Sequence, residues 1–314
     1  MKDYTNIIIH NLEILYNNEL LKNNYYKARA YKNVIENLLD NYKPILTFND
    51  FLQIKGVGDS ISGKIKELFE TNKIQKVEDI NNNELYKFKK SLLNIYGIGP
   101  KKINELLNKY NINSIDDLKK NKDLLNSKQY IGLKYYNDLQ KRIDLTEYKK
   151  HYDIIIDVLN KYNDIIYDFV GSYRRKLKTI GDIDLLIKEN KNFNLNDFID
   201  YLKEKKYIIE TLALGKYKFM GLCIVNKIVR RIDILIAPEI EYPYSLLYFT
   251  GSYKFNIGIR KIAKKMNYSL SEHGLKSKTK ISPKLKTEKE IFDFLQIKYL
   301  EPKKRNDFNN IEFI

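Results

Sequence analysis

Apolar side chains recur at intervals of three and four through the first 142 residues. This spacing matches the 3.6-residue period of an amphipathic helix. It is seen in Ile14–Leu20, Val34–Leu39, Ile61–Phe69 and Ile103–Leu107. After about residue 150 the pattern changes to short, apolar, partly alternating runs, which are typical of strands. These runs are Ile165–Val170, Ile183–Ile187, Met220–Val225 and Ile228–Ile236.

Changes of pattern near residues 80, 143 and 240 predict four modules, 1–80, 81–142, 143–240 and 241–314. The last module mixes a strand-like stretch, Tyr268–Leu270, with a helix-like one, Glu288–Leu295. The predicted fold class is therefore multi-domain α+β: helical modules first, then a mixed β-sheet domain, then a small α+β module.

Composition excludes several classes of protein. The 314 residues are 43% hydrophobic, which is enough for packed cores. Cys223 is the one cysteine and there are three histidines, so disulfides within the chain, thiolate zinc sites and multi-histidine metal cages are excluded. No apolar run is long enough to span a bilayer, and Asp3 and Glu13 argue against a cleaved signal. We expect a soluble protein of a reducing intracellular compartment, with the nucleus and a viral replication site both open, and no membrane partner.

Positive charge is concentrated in two of the four modules. Residues 1–80 have 11 basic and 11 acidic side chains, but 81–142 have 13 against 6 and 241–314 have 15 against 8. The formal net charge is +16. A lysine-rich composition alone could account for part of this excess, but neutralisation of phosphates is the commonest use of clustered basic charge. Nucleic acid is the favoured partner.

Two Gly-apolar-Gly turns, Gly56-Val57-Gly58 and Gly97-Ile98-Gly99, lie 41 residues apart. Each opens onto an amphipathic stretch, so unpaired backbone N–H groups at the start of the next helix could hold a phosphate. One copy would more often be an ordinary turn between packed helices. Two copies in a basic chain favour helix-hairpin-helix modules that bind DNA without recognising its sequence.

Three carboxylates occur on two predicted strands. In Asp182-Ile183-Asp184 both acids face one side of a strand while Ile183 faces the core, and Asp233 has the same alternation in Arg231–Ile234. Converging carboxylates suit Mg²⁺, and two such ions could stabilise both oxygens of an in-line phosphoryl transfer. An Asp-x-Asp pair alone is weak evidence. Gly171-Ser172, ten residues upstream at the end of a strand, strengthens it, because the turn can hold a triphosphate with Arg175. This combination is the arrangement of nucleotidyltransferases.

Longer segments carry a closer resemblance. GSYRRKLKTIGDIDLLI (171–187), RRIDILIAP (230–238), LLYFTGSYKFN (246–256) and NYSLSEHGL (267–275) resemble the family X DNA polymerases. So do YKARAYKNVIENLL (26–39), GVGDSISGKI (56–65) and LLNIYGIGPKK (92–102). The resemblance implies a lyase module over 1–80, fingers over 81–142, a palm over 143–240 and a thumb over 241–314. It leaves no room for an N-terminal BRCT module.

The resemblance implies a role for individual residues. Asp182, Asp184 and Asp233 would hold two Mg²⁺ ions, with Mn²⁺ as a substitute. Positions that bind the incoming nucleotide are Arg142, Gly171, Ser172, Arg175, Gly181, Tyr248, Phe249, Gly251 and Asn256, with Tyr248 and Phe249 on a turn beside Gly251. Positions that bind DNA are Tyr26, Lys27, Tyr31, Gly56, Gly58, Lys76, Gly97, Gly99, Arg231 and Arg260. Lys64 would be the lyase nucleophile. Backbone carbonyls of Ile54, Val57, Leu93, Ile95 and Ile98 would hold Na⁺ or K⁺ at the two hairpins.

The resemblance implies a monomeric, template-dependent repair polymerase with 5′-deoxyribose phosphate lyase activity, acting on gapped or nicked double-stranded DNA with deoxynucleoside triphosphates. Two alternatives stay open: a template-independent terminal transferase and a DNA-end-binding protein of weak activity. Family members that need no template carry a long loop between two palm strands, whereas only Asn226-Lys227 separates the corresponding strands here. Ser60, Leu235 and Tyr253 depart from the pattern of polymerase beta.

Overall fold

The computed structural model describes residues 2–40, 43–307 and 310–314. Contacts divide the chain into two compact units, and the division falls in the sequence between Tyr136 and Asn137. Within the described ranges, no helix combines the length and the apolar character that a membrane span requires.

The first unit is helical, as the hydrophobic spacing predicts. Its helices are α1 (Thr5–Leu21), α2 (Tyr25–Asp40), α3 (Phe48–Leu52), α4 (Asp59–Thr71), α5 (Gln75–Asn82), α6 (Glu84–Leu93), α7 (Pro100–Asn108), α8 (Ile115–Lys120) and α9 (Ser127–Lys134), and a further helix, α10 (Tyr136–Leu139), crosses the division. A short 3₁₀ helix covers Lys122–Leu124. Residue 80, the predicted module boundary, lies inside α5.

The second unit is built on a five-stranded mixed sheet. The strands of the whole unit are β1 (Ile143–Asp144), β2 (Tyr167–Phe169), β3 (Thr179–Ile180), β4 (Ile183–Lys188), β5 (Ile208–Leu214), β6 (Lys218–Val225), β7 (Ile228–Ala237), β8 (Ser269–Ser271) and β9 (Gly274–Lys276). Two of the pairs, β1-β3 and β8-β9, form small separate sheets. The large sheet has the order β2-β4-β7-β6-β5, in which only β4 and β7 pair in parallel. Its helices are α11 (Leu145–Leu159), α12 (Gly171–Arg174), α13 (Leu195–Glu204), α14 (Tyr242–Thr250), α15 (Tyr253–Lys265) and α16 (Glu288–Phe294).

Strand alternation decides which face of the large sheet is closed. Ile183, Leu185 and Ile187 of β4 are fully buried in one core with side chains of α11 and α13. The intervening residues, Asp184 and Leu186, face the other way, and Leu186 packs in a second cluster with Tyr242 of α14. Because successive side chains of a strand point to opposite faces, Ile183, Leu185 and Ile187 face α11 and α13, whereas Asp184 and Leu186 lie on the face toward α14.

Some boundaries and elements differ from the hydrophobic pattern. The strand predicted over Ile165–Val170 is shorter in the structure, where β2 covers Tyr167–Phe169 and Val170 is the residue directly before α12. The predicted two-residue hairpin is confirmed: Val225 pairs with Ile228, and Asn226 and Lys227 have φ values of 51° and 66°. Two positive φ values in a two-residue loop are those of a type I′ turn, whose twist suits a tight antiparallel hairpin.

Candidate active site

The register of β4 and β7 brings the three predicted carboxylates together. Asp184 stands directly opposite Asp233 in the parallel pair, and Asp182 lies one residue before β4 begins. Each of the three offers a carboxylate oxygen within 4.8 Å of the others. Pairing of neighbouring strands, and not nearness in sequence, therefore assembles the cluster.

The electrostatics of this cluster favour a cation. Burial, together with the charges of Asp182 and Asp233, raises the pKa of Asp184 well above its usual range. Burial also raises the pKa of Asp233, whose Oδ1 is buried and accepts no hydrogen bond from the described residues. Like charges at this distance repel one another in a medium of low polarity. An oxygen-preferring divalent ion such as Mg²⁺ would offset that repulsion and would provide a partner for the unpaired Oδ1 of Asp233.

Arg231 supplies the positive charge that this cluster has in the structure. Its Nη2 donates to Asp182 Oδ2 at 2.6 Å and to Asp233 Oδ2 at 3.2 Å. The sequence prediction placed Arg231 against DNA, whereas here it forms ion pairs with two of the three carboxylates. The signal for this contact was present, because residues 231 and 233 share one face of a strand.

Gly171 packs its backbone against the carboxylate cluster. It has φ +59°, and a Cβ built on it would lie 2.1 Å from Asp184 Oδ2. Both the left-handed backbone and the close approach require glycine. The Val170 N–H donates to the Asp184 carbonyl at 2.9 Å, which fixes this turn to the end of β4. The predicted Gly-Ser turn thus begins α12 immediately beside the acids.

The other predicted nucleotide-binding residues of this region lie around the same turn. Ser172 Oγ accepts from the Gly181 N–H at 3.4 Å. Arg142 donates from Nε to Thr179 Oγ1 at 2.7 Å, and Arg175 donates to the Thr250 carbonyl at 2.6 Å. The charges of Asp184, Arg142 and Asp182 all act on Arg175. Arg175 therefore stands near the carboxylates, with Arg142 near Arg175 and Gly181, where triphosphate oxygens would need donors.

A buried ion network that the sequence did not suggest holds α12 in place. Arg174 donates two hydrogen bonds to Glu288, at 2.9 and 2.8 Å, and one to Thr250 Oγ1 at 2.6 Å. Glu288 also accepts from Arg305 at 2.6 Å, and Arg305 is fully buried against the rings of Phe255 and Phe292. These contacts tie the Gly-Ser turn to α14 across 76 residues of sequence and to α16 across 114.

The predicted base-pair contacts lie on α14 and α15. Tyr248 and Phe249 form the last turn of helix α14, so the expectation that they lie on a turn was wrong; the turn begins at Gly251. Asn256 donates to the Tyr248 carbonyl at 2.7 Å, and Arg260 stacks over the Tyr248 ring at 4.7 Å. These three predicted residues are thus brought together around Tyr248.

The two glycine turns of the first unit repeat each other closely. Gly56 and Gly97 both have positive φ, +90° and +78°. Gly58 and Gly99 cap α4 and α7 with φ/ψ of −108°/173° and −111°/178°. The Val57 N–H donates to the Ile54 carbonyl, and the Ile98 N–H to the Ile95 carbonyl. The predicted 41-residue repeat is confirmed as a structural one. Leu93, the remaining carbonyl predicted to bind a monovalent ion, is the last residue of α6.

Lys64 lies on α4, with its amine directed back along the helix. Its Nζ donates to the Ser60 carbonyl at 2.6 Å and to Ser60 Oγ at 2.9 Å. Partial burial, followed by the charge of Lys27, lowers the pKa of Lys64, and Lys76 adds to this effect. Predicted neighbours of this lysine differ in exposure: Tyr26 is 87% exposed and Tyr31 8%. A lysine amine with a lowered pKa is a better nucleophile near neutral pH.

Comparison with known proteins accounts for this set of features. Four family models match in chain order: a helix-hairpin-helix domain (8–74), the fingers domain of DNA polymerase lambda (90–140), the DNA polymerase beta palm (142–239) and the DNA polymerase beta thumb (245–306). The chain belongs to family X, the family of DNA polymerases beta and lambda.

Individual family X relatives are distant but match over most of the chain. DNA polymerase lambda of Rattus norvegicus is 27% identical over 97% of this chain, and that of Arabidopsis thaliana 29% over 90%. A DNA nucleotidylexotransferase of Xenopus laevis is 27% identical over 84%. The chain spans 56%, 57% and 61% of the lengths of these three relatives. In family X terms, the carboxylates and the Gly-Ser turn lie in the palm, and Tyr248, Asn256 and Arg260 in the thumb.

Proposed function

We propose that this chain is a template-dependent DNA polymerase that fills short gaps by adding deoxynucleotides to a primer 3′-hydroxyl. The observation that carries the proposal is the group of Asp182, Asp184 and Asp233 beside the Gly171 turn. Relatives named DNA polymerase lambda support the same activity.

The three carboxylates are the residues that would hold two Mg²⁺ ions, or Mn²⁺ in their place. Bound there, the ions would stabilise the charge on the attacking and leaving oxygens. The 3′-hydroxyl oxygen forms a bond to the α-phosphorus of the nucleotide, the bond to the β-phosphate oxygen breaks, and pyrophosphate leaves. Asp233 would act beside the primer 3′-hydroxyl, and a metal ion held by its Oδ1 would make that hydroxyl more acidic, so that its proton could pass to water. Backbone N–H groups around Ser172, with Arg175 and Arg142, would orient the triphosphate.

Single-nucleotide gap filling on defined DNA tests this proposal. We expect Asp184→Ala to abolish nucleotide addition and to bind the gapped DNA within about twofold of wild type. Asp200→Ala is the matched control, since Asp200 is an aspartate of the same unit that pairs with Lys203 on the surface of α13. Addition by Asp184→Ala within tenfold of wild type would exclude the carboxylates as metal ligands.

A terminal transferase is the competing activity, because one relative is a DNA nucleotidylexotransferase. The tight turn at Asn226-Lys227 disfavours it, since a two-residue loop is too short to stand in for a missing template strand. We therefore expect single-stranded primers to be extended weakly or not at all with Mg²⁺. Efficient extension of such primers would favour the transferase.

We also propose 5′-deoxyribose phosphate lyase activity at Lys64. The lowered pKa of its amine supports this role. The amine would attack the sugar aldehyde and form a Schiff base with loss of water. Loss of the sugar C2′ proton to water would then expel the 3′ phosphate by β-elimination, and hydrolysis of the remaining imine would free Lys64. Ser60 Oγ, in hydrogen-bond contact with Nζ, holds the amine in one orientation.

A further inference from the structure

A cavity in the first unit lies among α1, α5 and α6. Of the residues that line it, Lys76 is the one to which a role is assigned above. Its volume is about 190 Å³. Lysines from three separate segments line it: Lys22 just after α1, Lys76 on α5 and Lys89 on α6. An apolar cavity of about 150 Å³ accommodates benzene, so this one has room for a phosphate group with part of its sugar.

The positive charge in this cavity is not balanced by the protein. Lys89 is half-buried, and its Nζ donates to the Leu21 carbonyl at 3.2 Å, a neutral acceptor. Burial and the neighbouring charge of Lys22 lower the pKa of Lys89. Across residues 2–40, 43–307 and 310–314, none of the three lysines forms an ion pair with a carboxylate. Asp79 is the one acid in the lining, and its Oδ1 accepts from Gln75 Nε2 at 2.9 Å.

Repulsion between like charges in a partly desolvated site is unfavourable unless an anion offsets it. Three lysines against one aspartate leave an excess of two positive charges, which is more than enough to neutralise the single negative charge of a phosphate diester. The lining also has an apolar side, where Leu85 is 54% exposed and could contact a sugar. Lys76 also contributes to the lowered pKa of Lys64, so one lysine of the lining lies within electrostatic range of the proposed lyase amine.

We propose that the cavity bounded by Lys22, Lys76 and Lys89 is a second anion subsite, which binds a backbone phosphate of DNA next to the sugar held at Lys64. The proposal rests on the proposed function in two respects: the substrate is DNA with an interrupted strand, and a sugar of that strand is held at Lys64. It assigns binding roles to Lys22 and Lys89, residues for which neither the motifs nor the family resemblance gives a role.

Fluorescence anisotropy of the full chain with 5′-phosphorylated one-nucleotide-gapped DNA tests this subsite. The variants are Lys22→Gln, Lys89→Gln and the double variant, with Lys90→Gln as the matched control, because Lys90 is an exposed lysine of α6 outside the cavity. Each phosphate contact contributes roughly 0.9 to the slope of log K against log salt on duplex DNA. We expect each single variant to weaken binding about three- to tenfold and to lower that slope by about one, and Lys90→Gln to stay within twofold of wild type.

Two further arms identify the ligand. Neutral methylphosphonates placed one at a time along the downstream strand should reveal a position that weakens binding of wild type but not of the Lys22/Lys89 double variant. Inorganic phosphate, added as a competitor, should not displace the gapped DNA from wild type. Equal affinity and slope for the double variant and Lys90→Gln, or no such methylphosphonate position, would overturn the proposal. Tight, Lys89-dependent binding of inorganic phosphate alone would reassign the cavity to a free anion.

Failure of this subsite and failure of the proposed polymerase give different results. Nucleotide addition to an open primer–template depends on the carboxylates of the second unit, so the Lys22 and Lys89 variants should retain it. Lys22 is exposed, so Lys22→Gln keeps the test valid if Lys89→Gln proves unstable in urea.

Discussion

Replacing Gly171 with alanine should disable the carboxylate cluster by adding a single methyl group. A Cβ at this position would lie 2.1 Å from Asp184 Oδ2, whereas ordinary contact begins at 3.4 Å. The carboxylate or the turn must therefore move by about 1.3 Å. The substitution also forces alanine into a backbone conformation with φ +59°.

The two effects have different expected magnitudes. A displacement of about 1 Å in a catalytic arrangement can cost roughly 100-fold in rate. A left-handed conformation for a residue other than glycine costs about 1–3 kcal/mol. We therefore expect Gly171→Ala to lower single-turnover nucleotide addition about 100-fold or more and to lower the free energy of unfolding in urea by about 1–3 kcal/mol.

Gly215→Ala is the control, because Gly215 lies in the same unit, lacks a positive φ, and its Cβ would find its nearest neighbour at 3.9 Å. It should change the rate of nucleotide addition by no more than about twofold and the free energy of unfolding by no more than about 0.5 kcal/mol. Nucleotide addition by Gly171→Ala within fivefold of wild type, in protein that still unfolds cooperatively, would refute the close packing of the Gly-Ser turn on Asp184.

Three further predictions follow from the same structure. The pKa of Asp184 is raised on folding, so the folded state holds this proton more tightly and loses stability as the pH rises from about 4 through the raised pKa. In urea unfolding without divalent metal, Asp184→Asn should lose less stability over that pH range than wild type, and an equal loss would contradict the burial effect. Borohydride should trap wild type on 5′-deoxyribose phosphate DNA, Lys64→Ala should lose most of the adduct and Lys66→Ala, on the exposed side of α4, should not; undiminished trapping by Lys64→Ala would assign the nucleophile to another lysine. Glu288→Gln should lower the free energy of unfolding by about 3–5 kcal/mol, because it leaves the buried Arg305 uncompensated, and a loss below 1 kcal/mol would contradict the network.

The features that the sequence determined by itself are those fixed by short-range geometry. The two hairpins depend on glycines that can adopt positive φ and on apolar spacing within about twenty residues, so both could be located and paired from the pattern. Alternation along a strand likewise predicted that Ile183 is buried while Asp184 faces away. The turn at Asn226-Lys227 followed from the ends of its two strands.

Tertiary structure alone decided which distant groups meet. Arg230 and Arg231 are consecutive, yet Arg230 is buried in an ion pair with Glu147 while Arg231 reaches Asp182. Local pattern assigns them to opposite faces of β7 but gives no partner for either. The parallel pairing that sets Asp184 opposite Asp233, and the burial of Glu288, each join segments that are 49 or more residues apart. Such partners are chosen by the packing of whole elements, because the gain from burying a charge with its counter-charge exists only after the chain has folded.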